Sequence, residues 1–274
     1  MYSIVEITAL IGAHRYGETD SRIGWLLTDS RSLTFPETTL FFALQSERND
    51  GHKYIPQLYR QGVKNFVVKE LPENLAAYPG ANFLLTPSPL IALQRLAERH
   101  REEFNLPIIG VTGSNGKTIV KEWIYQLLSA SKIVTRSPRS YNSQIGVPLS
   151  VWLLDERTQI GVFEAGISKP GEMEFLQPII QPTIGVMTNI GKAHQENFDS
   201  MEQKCGEKLQ LFKDSAVIIY CSDDETISQC LKKANYPHDR LFWSRNDKKA
   251  PLFIQSGEKK NDSSCISYIY KGET

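Results

Sequence analysis

A chain of 274 residues is long enough for two modest domains, each with a buried core of its own. Lys+Arg and Asp+Glu both number 31, a formal net charge of +0. This excludes a surface built for bulk nucleic acid or an anionic membrane, so any anion must be met by a local site.

The N-terminus, residues 1–7, lacks the basic and apolar segments of a signal peptide, and no apolar run approaches the ~20 residues of a membrane span. Cys205, Cys221, Cys230 and Cys265 form no CxxC pair and read as reduced thiols of a cytoplasmic protein. Residues 1–86 read as a small α/β unit, with β-type runs at 25–28, 40–44 and 65–68 and a helical stretch at 52–60. Pro72, Pro79-Gly80 and Pro87-Ser88-Pro89 punctuate turns and mark a boundary. Residues 87–105 then read as a linker helix with Leu90, Leu93, Leu96 and Ala97 on one face. Over 106–274, β runs at 108–112, 160–165, 184–188 and 216–220 alternate with helical patterns. That alternation predicts a parallel sheet wrapped by helices, with ligands at the carboxyl ends of its strands. Beyond Arg240 the pattern changes to Lys-rich loops around β-like 252–255 and 265–270.

The most informative stretch is 107–118, Pro-Ile-Ile-Gly-Val-Thr-Gly-Ser-Asn-Gly-Lys-Thr. An apolar strand ends in a glycine-rich turn, and a helix follows whose Val120, Trp123, Ile124, Leu127 and Leu128 carry the spacing of one buried face. Strand, glycine loop, Lys-Thr and helix together hold a nucleotide triphosphate. Backbone N–H groups of Gly113, Ser114, Asn115 and Gly116 face the phosphates. Lys117 adds a point charge, and Thr118 offers a hydroxyl to Mg²⁺. The usual phosphate-loop pattern has a glycine where Val111 stands; the glycines fall instead at Gly110, Gly113 and Gly116. The bland alternative is a strand-to-helix turn that is merely rich in glycine.

Three further clusters sit in the same half of the chain. Glu164 closes a β run on a strand parallel to the loop strand, from where a carboxylate reaches nucleotide-bound Mg²⁺. Its bland reading is a solvated charge at a strand end. Residues 188–194, Thr-Asn-Ile-Gly-Lys-Ala-His, offer Asn189 and His194 at another strand end, although a lone loop histidine is usually a polar surface residue. Lys208 lies on a helix beside Leu209 and Phe212, and its default reading is a solvated helix face.

In order and approximate spacing, Gly110-Val-Thr-Gly-Ser-Asn-Gly-Lys-Thr118, Glu164-Ala-Gly166, Asn189-Ile-Gly-Lys-Ala-His194 and Glu207-Lys208 resemble the Mur ligases. These are ATP-dependent amide ligases that build the peptide of bacterial cell-wall precursors. Thr28-Asp-Ser-Arg31, 40–44 and Asn49-Asp-Gly-His52 look like the UDP-binding signature of the later ligases of that pathway. Lys117–Glu122, Asn142–Pro148 and Gly171-Glu172 look most like the last of them, which joins D-alanyl-D-alanine to UDP-N-acetylmuramoyl-tripeptide. The resemblance implies a small UDP-binding α/β domain followed by a P-loop-type parallel-sheet ATP-binding domain.

Position by position, the resemblance implies that Lys117 and Thr118 bind ATP phosphates and Mg²⁺, with Glu164 ligating the metal. It implies that His194 holds a second Mg²⁺, and it matches Lys208 to a lysine that some members carry as an Nζ-carbamate. Asn189 would border the nucleotide, Ser30 and Arg31 the UDP part, and Asn142 and Ser143 the muramoyl-peptide. Arg139-Ser-Tyr-Asn142 departs from the glycine-containing turn expected before the asparagine. Mur ligases also have a third domain and an Asn/Ala-rich helix late in the central one, and neither is found before Thr274. The chain is therefore expected to be the N-terminal portion of a longer cytoplasmic, monomeric ligase and not to complete ligation alone. Its signatures are closest to ligases fused to an alanine racemase, and pyridoxal phosphate would enter only with such a module. A neighbouring Mur ligase, a folylpolyglutamate synthase and a non-catalytic module that captures UDP-muramoyl-peptide are the alternatives. The UDP-type block counts against folate, and an intact set of site residues counts against a degenerate module.

Overall fold

Ser3 and Glu6 form a reciprocal cap at the start of helix Ile4–Ile11, which Gly12 ends at φ 65. The computed structural model describes residues 1–274 apart from Arg48, Lys192, His194, Pro237, His238, Asp262, Thr274 and the side chain of Lys260. The chain divides into two units, Met1–Glu103 and Phe104–Thr274.

The first unit is built on a five-stranded sheet in the order His14–Tyr16, Asn82–Leu85, Asn65–Val68, Thr39–Phe42, Trp25–Leu27. All neighbours are parallel except His14–Tyr16, which runs antiparallel to Asn82–Leu85. Phe41, Phe66 and Phe83 project into one core with Ile55, Leu58 and Val63. Each aromatic ring brings a large apolar area to the core of such a small sheet. Helix Pro89–Glu102, capped by Ser88, packs on helix Ile4–Ile11 and on strands Thr39–Phe42 and Asn65–Val68. The helix read from the sequence as a linker thus completes the core of the first unit, burying Leu93, Leu96 and Ala97. Strands His14–Tyr16 and Asn82–Leu85 and the first helix are too short to announce themselves by periodicity.

The second unit holds an eight-stranded sheet. Its order is Val134–Arg136, Ile160–Glu164, Ile108–Thr112, Ile184–Met187, Val217–Cys221, Asp239–Ser244, Leu252–Lys260, Ser263–Tyr270. Every pair is parallel except the closing hairpin of the last two strands. Strand Ile108–Thr112 lies in the middle, with Val111 level with both Glu164 and Val186. Its connection leaves to one side while the later strands build on the other, which opens a crevice at its carboxyl end. Among the described residues no helix is long and apolar enough to cross a membrane, and all four cysteines are free thiols.

One expectation of the second unit is overturned. Helix Lys117–Leu128 packs on the three strands Ile108–Thr112, Val134–Arg136 and Ile160–Glu164. Yet Trp123 and Leu127, assigned from their spacing to its buried face, are 62% and 78% exposed. Ile119 extends that outward stripe at 57% exposed, and the one helix residue counted as buried is Lys121. Apolar periodicity assumes that the core is apolar. Here the inward position faces carbonyls and carboxylates, and a lysine fits it better than leucine does.

Candidate active site

The loop between strand Ile108–Thr112 and helix Lys117–Leu128 owes its shape to two glycines. Gly113 stands at φ 144, and a Cβ there would lie 1.9 Å from Thr188 Oγ1. Gly116, at φ 78, opens the helix, and no side chain makes a capping bond to its first turn. The first helical N–H groups, with the positive end of the helix dipole, are left facing the crevice, an arrangement that binds phosphate.

A second loop, after strand Ile184–Met187, is laced to the first. Ser114 N donates to Asn189 O at 2.8 Å, and Gly191 N donates to Ser114 Oγ at 2.9 Å. Asn115 N donates to Asn189 Oδ1 at 3.2 Å, and Asn189 Nδ2 donates back to Asn115 O at 3.1 Å. Thr188 Oγ1 adds a bond to Asn115 O at 2.6 Å. Asn189, read from the sequence as a nucleotide contact, thus spends its side-chain amide on bracing the glycine loop, and it takes up the N–H groups of Ser114 and Asn115 that the sequence alone turns toward phosphates.

Lys117 Nζ folds back over the loop and donates to Gly113 O at 3.0 Å, inside the turn that would surround a phosphate. Burial pushes its pKa down, and the charge of Glu164 opposes that shift. Glu164 is 0% exposed, unlike the solvated strand-end charge that is the alternative to a metal-reaching carboxylate. Its Oε1 accepts from Thr118 Oγ1 at 3.2 Å and from Asn142 Nδ2 at 3.0 Å. Among the described residues its buried Oε2 has no hydrogen-bond partner, and the Lys121 ammonium lies 4.0 Å from it. An orphaned carboxylate oxygen in a dry site is costly unless something cationic belongs there. With the Thr118 hydroxyl on Oε1, the carboxylate as a whole fits a hard cation held by one carboxylate and nucleotide phosphates, the usual manner for Mg²⁺. Among the described residues no group of three or more His, Cys, Asp or Glu could form an all-protein metal cage. His194 lies outside the described residues.

Helix Met201–Leu209 presents Lys204 and Lys208 inward, one turn apart. Lys208 is 3% exposed, not on a solvated face. Burial, followed by the like charges of Lys117 and Lys204, brings its amine down to about 7. Lys204 donates to Gly191 O, on the loop that clasps Ser114. Neither its burial nor that of Lys121 follows from sequence pattern, because both sit where an apolar residue is the default.

Asn142 reaches Glu164, as described, while Ser143 Oγ accepts from Gly146 N at 3.2 Å, at the start of the short helix Gly146–Val151. In the first unit, Asp29 caps the turn Ser30–Ser32 and pairs with Arg31 at 2.7 Å, leaving the Arg31 side chain largely exposed. His52 bridges there: its Nδ1 lies 2.7 Å from Asp50 Oδ1, and its Nε2 accepts from Lys69 N at 3.1 Å.

A glycine loop, a carboxylate with one unbonded oxygen and buried lysines at the carboxyl end of the central strands have the geometry of a candidate phosphate-binding site. Residues 111–273 match the Mur ligase middle domain. The chain belongs to the Mur ligase family. A UDP-N-acetylmuramoyl-tripeptide--D-alanyl-D-alanine ligase of Bacillus subtilis is 36% identical over 204 residues, covering 72% of this chain and 43% of that ligase. The crystal structure of MurF from Thermotoga maritima in complex with ADP superposes with a TM-score of 0.79 at 25% identity, over 92% of this chain and 57% of that one. A structure of MurF from Acinetobacter baumannii reaches a TM-score of 0.84 at 23% identity, covering 97% and 59%, which shows the shared fold. This Mur ligase chain thus spans about half the length of the relatives it matches.

Proposed function

We propose that this chain carries the ATP and UDP-substrate machinery of a MurF-type ligase, which joins D-alanyl-D-alanine to UDP-N-acetylmuramoyl-tripeptide. The observation that carries the reading is the buried Glu164 carboxylate, bonded through Oε1 to Thr118 and with no hydrogen bond to Oε2 among the described residues, at the mouth of a phosphate-type loop. In such a reaction a carboxylate oxygen of the tripeptide takes the γ-phosphoryl group of ATP and ADP leaves. The amine of the dipeptide then attacks the acyl phosphate, a C–N bond forms, and inorganic phosphate departs with the amine's proton released. No protein nucleophile is needed; positioning and fixed charge do the work. Lys117 and the N-terminal N–H groups of its helix hold the transferring phosphates. Glu164 and Thr118 would hold Mg²⁺, which when bound offsets the charge gathering on the phosphoryl oxygens. Lys208, with an amine brought to about 7, is in a state to take up CO₂ as a carbamate, giving a proton to solvent and becoming an anion that can help hold a metal. Ser30 and Arg31 would meet the UDP part, and Asn142, through its place on Glu164, the end of the peptide. A cytoplasmic, monomeric protein that takes these two substrates, without nucleic acid, suits the balanced charge.

Calorimetric titration of the chain with UDP-N-acetylmuramoyl-tripeptide, UDP and the dipeptide precursor tests this reading. Tighter binding of the tripeptide than of both others is expected. Equal binding of all three would reduce the assignment to a UDP site and overturn the MurF-type specificity.

A further inference from the structure

Lys121 is 0% exposed, one turn into the helix that leaves the phosphate loop. An ammonium stripped of water must recover its hydrogen bonds and a counter-charge from the protein around it. Lys121 Nζ does so in a specific way. It donates to Ser137 O at 2.8 Å and to Arg139 O, and lies 3.1 Å from Glu122 Oε1 and 4.0 Å from Glu164 Oε2. Glu122 is itself paired with Arg136 at 2.9 Å. The positive charge left over therefore faces Glu164.

The turn held by Lys121 is the one that departs from the glycine-containing pattern. Arg139 stands there at φ 48, a left-handed conformation that a side chain rarely adopts without support from its surroundings. The carbonyl of this same residue accepts from Lys121. The turn is also stitched to the carboxylate strand, because Glu164 N donates to Ser137 Oγ at 3.2 Å. It leads directly into Asn142, whose Nδ2 donates to Glu164 Oε1 and whose carbonyl accepts from Gly166 N at 2.8 Å. Helix, turn and carboxylate thus meet at one buried ammonium.

We propose that Lys121 is a positioning residue. It ties the Ser137–Asn142 turn to Glu164 and faces Oε2 itself, so that the carboxylate, met at Oε1 by Thr118 and Asn142, is held in place for the cation of the nucleotide. This rests on the reading of Glu164 as the cation's carboxylate. The position does not call for an ammonium on packing grounds: an apolar side chain of equal length would fill the same space but would leave two carbonyls and a carboxylate without a partner.

The test is calorimetric binding of ATP, with Mg²⁺ and with EDTA, to the full chain and to Lys121→Met, Glu164→Gln and the double variant. Lys121→Met is expected to weaken Mg²⁺-ATP binding by about 10–100-fold, the usual effect of removing a group that orients a metal ligand. It is expected to leave metal-free ATP binding unchanged, and to add nothing in the Glu164→Gln background, where the group it acts through is already altered. Equal loss of both nucleotide forms, or no loss of either, would overturn the proposal. If Lys121→Met does not fold, Lys121→Arg supplies the same comparison, because the wider guanidinium keeps the charge but not the fit to both carbonyls. A Mg²⁺-selective loss supports the role, and any other pattern overturns it. The underlying reading fails separately if Glu164→Gln leaves the Mg²⁺ dependence of binding intact, whatever the Lys121 variants do.

Discussion

Gly113→Ala is the change that most directly probes how the phosphate loop is held. A Cβ at this position would sit 1.9 Å from Thr188 Oγ1 and 3.0 Å from Asn189 O, on a residue at φ 144. The threonine hydroxyl cannot stay, so its bond to Asn115 O at 2.6 Å is lost. Holding a non-glycine residue at such a φ costs about 1–3 kcal/mol, and the lost hydroxyl bond costs about 1 kcal/mol more. The sum is roughly 2–4 kcal/mol. For a unit of this size each kcal/mol lowers the midpoint by about 2–4 °C, so the second unit should melt roughly 4–16 °C earlier. Thermal unfolding followed by hydrogen exchange at strand Ile108–Thr112 and its neighbours isolates that unit from the first. Calorimetric ATP binding should fall in parallel. Combining the change with Thr188→Ala sharpens the test. Alone, Thr188→Ala removes a useful hydroxyl and destabilises; in the Gly113→Ala background it removes the clashing atom and should restore part of the loss. Strictly additive effects, or a Gly113→Ala variant as stable and as competent for ATP as the parent, would refute the account of why glycine stands there.

Lys208→Met should stabilise the chain at pH 6, with the gain shrinking as pH climbs from about 7 toward 10.5. The folded amine has a lowered pKa, so in that window the unfolded chain binds a proton that the folded chain has released, and the parent's stability rises with pH. Denaturant midpoints at pH 6 and pH 9 check this, and a difference that does not vary with pH would sink it. The same side chain should give a carbamate carbonyl signal in carbon-13 bicarbonate that is lost in Lys208→Arg; an identical spectrum from both proteins would refute the carbamate. Trp123→Gln should change stability by no more than about 0.5 kcal/mol, as for exposed positions. The buried face suggested by apolar spacing would instead demand a loss of about 3–5 kcal/mol, and urea unfolding decides between them.

Much of the candidate site is legible in the linear order of residues because the phosphate binding proposed for it would be a backbone property. Gly113, Gly116, Lys117 and Thr118 act within one strand-loop-helix turn, where glycine, charge and hydroxyl at fixed spacing leave little to tertiary context. The alternation of β and helical patterns likewise announces a parallel sheet, since each strand must be followed by a crossover of sufficient length. What the sequence could not determine are the properties set by neighbours distant along the chain. Glu164 becomes a buried carboxylate with one oxygen bonded and one not only because Thr118 and Lys121 of one helix and Asn142 of a separate turn arrive around it. Lys208 becomes a weakly basic amine only because burial and two other lysines surround it. Helix Lys117–Leu128 turns Trp123 and Leu127 outward because its inward edge meets carbonyls and carboxylates rather than an apolar core. Composition and periodicity report what each residue prefers on average. Dielectric, counter-charge and carbonyl placement are set by the assembled sheet, and these decide which lysine is a solvated surface residue and which is part of the site.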